Sequence, residues 1–269
     1  MLFYALLLTV LLLFVYVARK PRPVKNRQGT LLNNSYELVT EVQSELVVAT
    51  YNVQTGKNLE GQRNINRAAQ MIKEVDLIGI QEIYAKTWLN KAGLGGCQTQ
   101  KLSVPGQFSW LFCPTRWRWF RENRGNAILS KIPIQRWQTV ALPDKTGISF
   151  RNMTIATFTF NGQDCHFINT HLHTGKGQTE QLKAVLTEFD KYDRAILVGD
   201  FNISLEHPEL KGYFASKGSA PLDVLANIQS DSEPRIDWII TRGWKVVNTT
   251  SIEKGISDHP YYQATLSLV

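Results

Sequence analysis

Cysteine is scarce: three residues in 269 (Cys97, Cys113 and Cys165), too few and too scattered for a disulfide framework or a zinc cluster. There is no collagen period and no polar low-complexity tract, and 43% hydrophobic against 20% charged residues excludes a disordered chain. The loops GxxxxGK[ST] and GxSxG, a GxGxxG after a strand, and HExxH are all missing, together with the sites they build. Acidic residues are missing from the start, where Glu37 is the first. Five basic residues (Arg19, Lys20, Arg22, Lys25 and Arg27) precede it, and without these five the net charge of +7 falls to +2. The basic balance therefore belongs mostly to a tail and is poor support for a nucleic-acid-binding domain.

Residues 1–18 carry no charged side chain. That run is just long enough to span a bilayer, with some local thinning. A cleaved signal peptide needs a basic start and a small-x-small cleavage site, and neither is present. The sequence predicts a single transmembrane anchor (1–18), a basic juxtamembrane linker (19–35) and one folded domain (36–269). The positive-inside rule places the domain of this single-pass membrane protein in the cytoplasm, with free thiols.

From about residue 36 strands and helices mix, with no internal repeat. Ser44–Tyr51 predicts a buried strand. Ile65, Ala68, Ala69, Ile72 and Val75 predict an amphipathic helix. Leu77–Ile80 is a short apolar strand, and residues 83–124, rich in Gly and Trp, read as irregular loops over a rim. Asn152–Phe160 and Gln163–Thr170 flank Asn161-Gly162, a strong hairpin signal because both residues tolerate positive φ. Leu182, Val185, Leu186 and Phe189 mark a second helix. Ala195–Val198, Ile236–Ile240, Lys245–Thr249 and Tyr262–Leu268 complete the strands. Hairpins mixed with helical crossovers favour a layered α/β sandwich with mixed sheets over a doubly wound parallel sheet.

Polar residues stand where the strands end, the edge at which such folds open their binding crevice. Asn52 follows VVATY, Gln81-Glu82 follows LIGI, and Asn169 and His171 follow CHFI. Asp200 and Asn202 follow AILVG, Asp237 lies in RIDWII, and Asp258-His259 follows a Gly-Ile-Ser turn. Each alone reads equally well as a loop or Asx-turn residue; the set and its order carry the argument. Glu82, with Asn52 and Asp258, offers hard oxygen ligands suited to Mg²⁺ or Mn²⁺. Asp237 with His259 forms a carboxylate–imidazole pair that orients the ring and raises its basicity. The metal would neutralise phosphate charge while an acid or base handles the proton.

Seven short pieces then fall in order: ATYNV (49–53), GIQE (79–82), GNAILS (125–130), NTHL (169–172), GDFN (199–202), RIDWI (235–239) and SDH (257–259). With them the chain resembles the endonuclease/exonuclease/phosphatase superfamily of metal-dependent phosphoesterases, from Val47 to the carboxyl end. The resemblance implies a four-layer α/β/β/α sandwich, two sheets face to face with helices outside. It implies Glu82 as the principal Mg²⁺ ligand, helped by Asn52, with Asp258 near the metal. Asp200 would position or deprotonate the attacking water, and Asn202 would hold phosphate or water. His259, paired with Asp237, would be the general base or a phosphate ligand, and His171 would donate to a phosphate oxygen. Arg151 would bind phosphate, and Asn126 and Asn169, inside the matching pieces, would face substrate. Two positions depart from the pattern. Gln54 stands where abasic-site nucleases carry Asp, and Tyr84 where several nucleases carry a basic residue.

The substrate stays open between nucleic acid, phospholipid and a small phosphoester; no protein partner is implied. The stretch 116–121 (RWRWFR), with Arg124, reads as a stacking surface for single strands, as a contact for anionic head groups, or as an alternating strand with Trp117 and Trp119 inward. The leading expectation is a membrane-tethered, Mg²⁺-dependent phosphoesterase. The alternatives are a non-catalytic phosphoester-binding module on the same fold and a membrane scaffold.

Overall fold

The computed structural model describes residues 2–29, 32, 44–84, 97–117, 124–147, 150–218, 221–228 and 234–269. The charge-free start forms helix α1 (Leu2–Arg19). Its 18 residues rise about 27 Å, against a hydrocarbon core of about 30 Å. Among the described residues no helix is long and apolar enough to cross a membrane. This corrects the expected transmembrane span: the segment forms an exposed apolar helix.

The segment after α1 differs from the expected linker. It adds two short strands, β1 (Arg22–Pro23) and β2 (Arg27–Gly29). Pro21 and Pro23, with φ fixed by their rings, favour extended backbone here. Residues 30, 31 and 33–35 of the expected linker lie outside the described residues.

The remaining strands are β3 (Leu46–Asn52), β4 (Leu77–Tyr84), β5 (Ser109–Pro114), β6 (Arg116–Trp117), β7 (Arg124–Ser130), β8 (Ile134–Ala141), β9 (Asn152–Phe160), β10 (Gln163–His171), β11 (Ala195–Asp200), β12 (Leu222–Asp223), β13 (Asp237–Arg242), β14 (Trp244–Ile252) and β15 (Tyr261–Leu268). The further helices are α2 (Ile65–Met71), α3 (Gln98–Ser103), α4 (Gln178–Phe189) and α5 (Pro208–Lys217). A six-stranded sheet has the order β14-β15-β3-β4-β7-β5, and a seven-stranded sheet the order β12-β13-β11-β10-β9-β8-β2. Both are mixed: β3 and β4 run parallel, as do β10 and β11, and the other pairs are antiparallel.

Side-chain alternation sorts the core. Leu46 and Val48 of β3, Leu77 of β4 and Ile128 of β7 share one cluster with Ala156, Phe167, Ile196 and Val198 of the other sheet. Their neighbours Ala49, Tyr51, Ile78, Ile80 and Leu129 pack instead with Ile65, Ala68 and Ile72 in and beside α2, and with Leu102 of α3. Ile155, Ile168 and Leu197 pack with Leu182, Val185 and Phe189 of α4 and Leu210 of α5. Period-2 alternation thus presses the sheets together on one face and seats helices on the other. The hairpin at Asn161-Gly162 forms as expected, with both residues at positive φ.

Three expectations need correction. Residues 83–124 are not all irregular, since α3, β5 and β6 lie within them. Their apolar runs are too short for the sequence pattern to separate from loop. The helix from Ile65 ends at Met71; Ile72 and Val75 remain buried beyond it in a turn. Strand β8 and helix α5 were not anticipated. The first is largely exposed and polar, and the second buries only Leu210.

Candidate active site

The parallel pairs β3–β4 and β10–β11 stop at a common edge, where β13 begins beside β11. Asn52 ends β3, His171 ends β10, Asp200 ends β11, and Asp237 opens β13 directly opposite Asp200. Glycine makes this edge possible. Gly199 has φ 147°, and a Cβ there would lie 2.0 Å from the Thr170 carbonyl oxygen. Only glycine lets β11 approach β10 so closely and aim Asp200 into the crevice.

Asp200 is the hub. Its Oδ2 accepts a hydrogen bond from Asn52 Nδ2 (2.9 Å) and lies 3.3 Å from His171 Nε2. Its Oδ1 accepts the Asn202 backbone N–H (2.8 Å). Burial and the nearby Asp237 charge push Asp200 up to about 7, although His259, Asn52 and the Asn202 amide pull it down. Asn202 sits at positive φ (53°) and donates through Nδ2 to the Leu172 carbonyl (3.0 Å), which locks the turn.

His259 faces Asp200 from the opposite side. Its Nδ1 bonds Asp237 Oδ2 (2.8 Å), leaving Nε2 3.7 Å from Asp200 Oδ2 and 3.4 Å from Asn52 Nδ2. Burial opposes charge on this ring. The bond to Asp237, that residue's charge, and the charges of Asp200 and Asp258 outweigh burial and raise it to about 9. His171 behaves oppositely. It is buried beside Arg151 and Arg124, and both effects hold it well below the ordinary histidine range. One imidazole is thus disposed to carry a proton and the other to stay neutral.

Glu82 occupies a β-bulge, where the β4–β7 register slips between Ile80 and Ile83, and its φ is 56°. A bulge re-aims a side chain, and this carboxylate is ion-paired with Arg124. Arg124 lies within the field of Asp258 and of Arg151. Burial, Arg124 and Arg116 lower Arg151 to about 10 against the pull of Asp200, and its Nε is buried without a partner. The Ser257 hydroxyl donates to the Asn52 carbonyl (2.7 Å) and lies 3.2 Å from Asp258 Oδ1.

Asn52, His171, Asp200, Asn202, Asp237 and His259 are thereby brought together, with Glu82, Arg151 and Asp258 beside them. Two expected substrate contacts are not. Asn169 is fully buried between the sheets; it donates to the carbonyls of Ile80 (3.2 Å) and Ala127 (2.8 Å) and accepts from Gln81 Nε2 (2.8 Å). Asn126 is buried against Asn152 (3.5 Å), which in turn donates to the Pro114 carbonyl (2.9 Å). Both tie strands together, because a buried amide must satisfy its polar atoms. Of the stretch 116–121, residues 118–121 lie outside the described residues. Sequence reasoning grouped Arg124 with the stretch 116–121 and not with Glu82, and it gave no role to Ser257. Ser257 lies in the SDH piece, but nothing in the sequence pairs Arg124 with Glu82.

Asp200, Asp237 and His259 present ligand atoms within 4.8 Å of one another, a set that could hold a metal ion. The donor chemistry fits a hard divalent cation. The carboxylates of Asp200 and Asp237 meet beside the Asn52 amide, Asp258 acts on His259 from nearby, and Asp237 Oδ1 is buried without a partner.

The family model for the Endonuclease/Exonuclease/phosphatase family matches residues 49–259. No curated protein matches. Several solved structures share the fold. An endonuclease/exonuclease/phosphatase from Beutenbergia cavernae has a TM-score of 0.67 at 20% identity, over 84% of this chain and 72% of that one. A mannosyl-6-phosphatase from Bacteroides thetaiotaomicron has a TM-score of 0.61 at 18% identity, over 83% and 99%. TDP2 of D. rerio, complexed with single strand DNA product, has a TM-score of 0.57 at 18% identity, over 84% and 100%. With the matched segment running from the middle of β3 to His259 and carrying every residue of the site, the chain belongs to the endonuclease/exonuclease/phosphatase family.

Proposed function

We propose that this protein is a divalent-metal-dependent phosphoesterase that hydrolyses a phosphodiester with water. The observation that carries the reading is the Asp237–His259 pair facing Asp200 and Asn52 across the strand ends. Family membership and the fold shared with a phosphatase and a DNA-product complex support it. The packing of helix clusters outside two facing sheets supports the four-layer α/β/β/α arrangement.

Glu82, Asn52 and Asp258 would hold the Mg²⁺ or Mn²⁺. When bound, the metal supplies positive charge against the phosphate oxygens. The chain's own groups do the rest. Asp200 holds the attacking water through the carboxylate that Asn52 and the Asn202 amide orient. His259 Nε2 points at the same space, with Asp237 fixing its tautomer and supporting its positive charge. Neutral His171 donates to a phosphate oxygen, and Arg124 and Arg151 balance the phosphate charge.

The exposed apolar helix α1 and the basic residues after it support a bilayer-associated protein. Asp200→Asn tests the reading. The variant should keep its fold by circular dichroism and lose ~10²–10⁴-fold in kcat. Full activity would remove Asp200 from the chemistry.

A further inference from the structure

The position of α1 relative to the catalytic edge carries an inference about substrate class, one that rests on the phosphoesterase reading. Leu6, Leu7 and Leu8 are successive residues, each more than half exposed, and Leu11, Leu12 and Leu13 repeat this one turn later. Successive helical residues point about 100° apart, so α1 is apolar around its circumference. A stripe on one side would suit a groove in another protein; an all-round apolar surface suits hydrocarbon. Arg19, Lys20, Arg22, Lys25 and Arg27 follow at once, the complement of an anionic head-group layer.

The helix does not end far from the site. Three residues beyond Arg19, Arg22 pairs with Trp117 and Pro23 with Arg116, strand to strand. The Arg22 guanidinium lies over the Trp117 ring, 4.9 Å from its centroid. The adjacent Thr115 gives both its N–H (3.2 Å) and its hydroxyl (3.1 Å) to the Arg124 carbonyl. Arg124 holds Glu82, and Arg116 lies within the field of Arg151. Three extended residues, one strand spacing and two short backbone steps place the end of α1 within roughly 25 Å of Arg124. The last turn of α1 is itself covered at Ala18. The foot of the apolar helix is therefore fixed beside the cationic rim of the crevice, formed by Arg116, Arg124 and Arg151, because β1 pairs with β6 three residues after α1 ends.

We propose that the substrate is a lipid-borne phosphoester, taken from the bilayer surface that α1 enters. In the reaction, a water oxygen forms the new P–O bond and the P–O bond to the lipid or head-group alcohol breaks. The proton lost by water is matched by the one that the leaving alkoxide takes up. Any phosphate can meet the arginines, but only a lipid surface also meets α1.

The test uses the full chain with Mg²⁺ and compares three probes. These are bis(p-nitrophenyl) phosphate, vesicles of equal parts phosphatidylglycerol and phosphatidylcholine, and a single-stranded oligonucleotide. Wild type should hydrolyse vesicle phospholipid faster than the oligonucleotide. The double variant Leu7→Lys, Leu11→Lys should stop sedimenting with vesicles and lose at least tenfold in phospholipid hydrolysis, while its bis(p-nitrophenyl) phosphate rate stays within twofold. Arg22→Ala with Trp117→Ala, which removes the β1–β6 contact that holds the foot of α1 beside the rim, should still sediment with vesicles and yet lose phospholipid hydrolysis. If wild type cleaves the soluble diester but leaves vesicles intact, prefers the oligonucleotide, or ignores both double variants, the lipid proposal fails and the phosphoesterase reading stands. If wild type cleaves none of the probes, both fail.

Discussion

Two imidazoles with opposite tendencies flank one carboxylate, and this sets what single substitutions should do. His171 is held below its ordinary pKa, so the folded protein resists a proton that the unfolded chain accepts below about pH 6.5. Stability should therefore fall as pH drops through that value. In His171→Gln this part of the fall should vanish, and denaturant titrations of both proteins at pH 5 and pH 7.5 would show it. An unchanged pH dependence would mean that His171 takes up its proton in the folded state. Asn169 bonds two carbonyls of the six-stranded sheet, so its truncation leaves several buried groups unpaired. Asn169→Ala should cost about 3 kcal/mol in urea unfolding. A cost near zero would mean that the amide faces solvent. The residue types of the site were legible because hard carboxylates and an Asp–His pair followed apolar strands in order. The amides were not. Asn169 and Asn126 stand in the same pieces as the catalytic groups, and only the packing of the second sheet separates a structural amide from one that meets substrate. The pairing of Arg124 with Glu82 was silent for the same reason, as the two residues lie on different strands.

Among the elements, strand ends do the positioning, and their geometry depends on departures from ideal strands. The bulge at Glu82 and the glycine before Asp200 are such departures. Gly199→Ala would drive a methyl into the Thr170 carbonyl and also meet an unfavourable φ. Its cost should be about 2–4 kcal/mol, with lowered kcat, because β11 must retreat and carry Asp200 with it. A variant of wild-type stability and rate would show that the edge has slack. The hairpin at Asn161-Gly162 and the strands of the inner core were readable from period and turn chemistry. Strand β8 and helix α5 were not, since their burial comes from one or two residues each and tertiary contact, not periodicity, fixes them. The bulge itself has no sequence signal, because Gln81 and Glu82 read as residues after a strand when both lie within it.

Taken as a whole, the molecule joins an apolar helix, a basic segment and two facing sheets, and the basic segment contributes strands that pair with β6 and β8. Strand β2 extends the seven-stranded sheet along β8, and β1 docks on β6. Cutting the chain at residue 30 would leave the β8 edge bare, an invitation to aggregation, so function is best measured on the full chain. Such a measurement tests the central claim directly. Hydrolysis of bis(p-nitrophenyl) phosphate should be followed with Mg²⁺, with Mn²⁺ and with EDTA, beside His259→Ala. The account predicts turnover with either metal, its abolition by EDTA, and a loss of ~10²–10⁴-fold in the variant. Turnover that survives EDTA, or a His259→Ala protein as active as wild type, would contradict it.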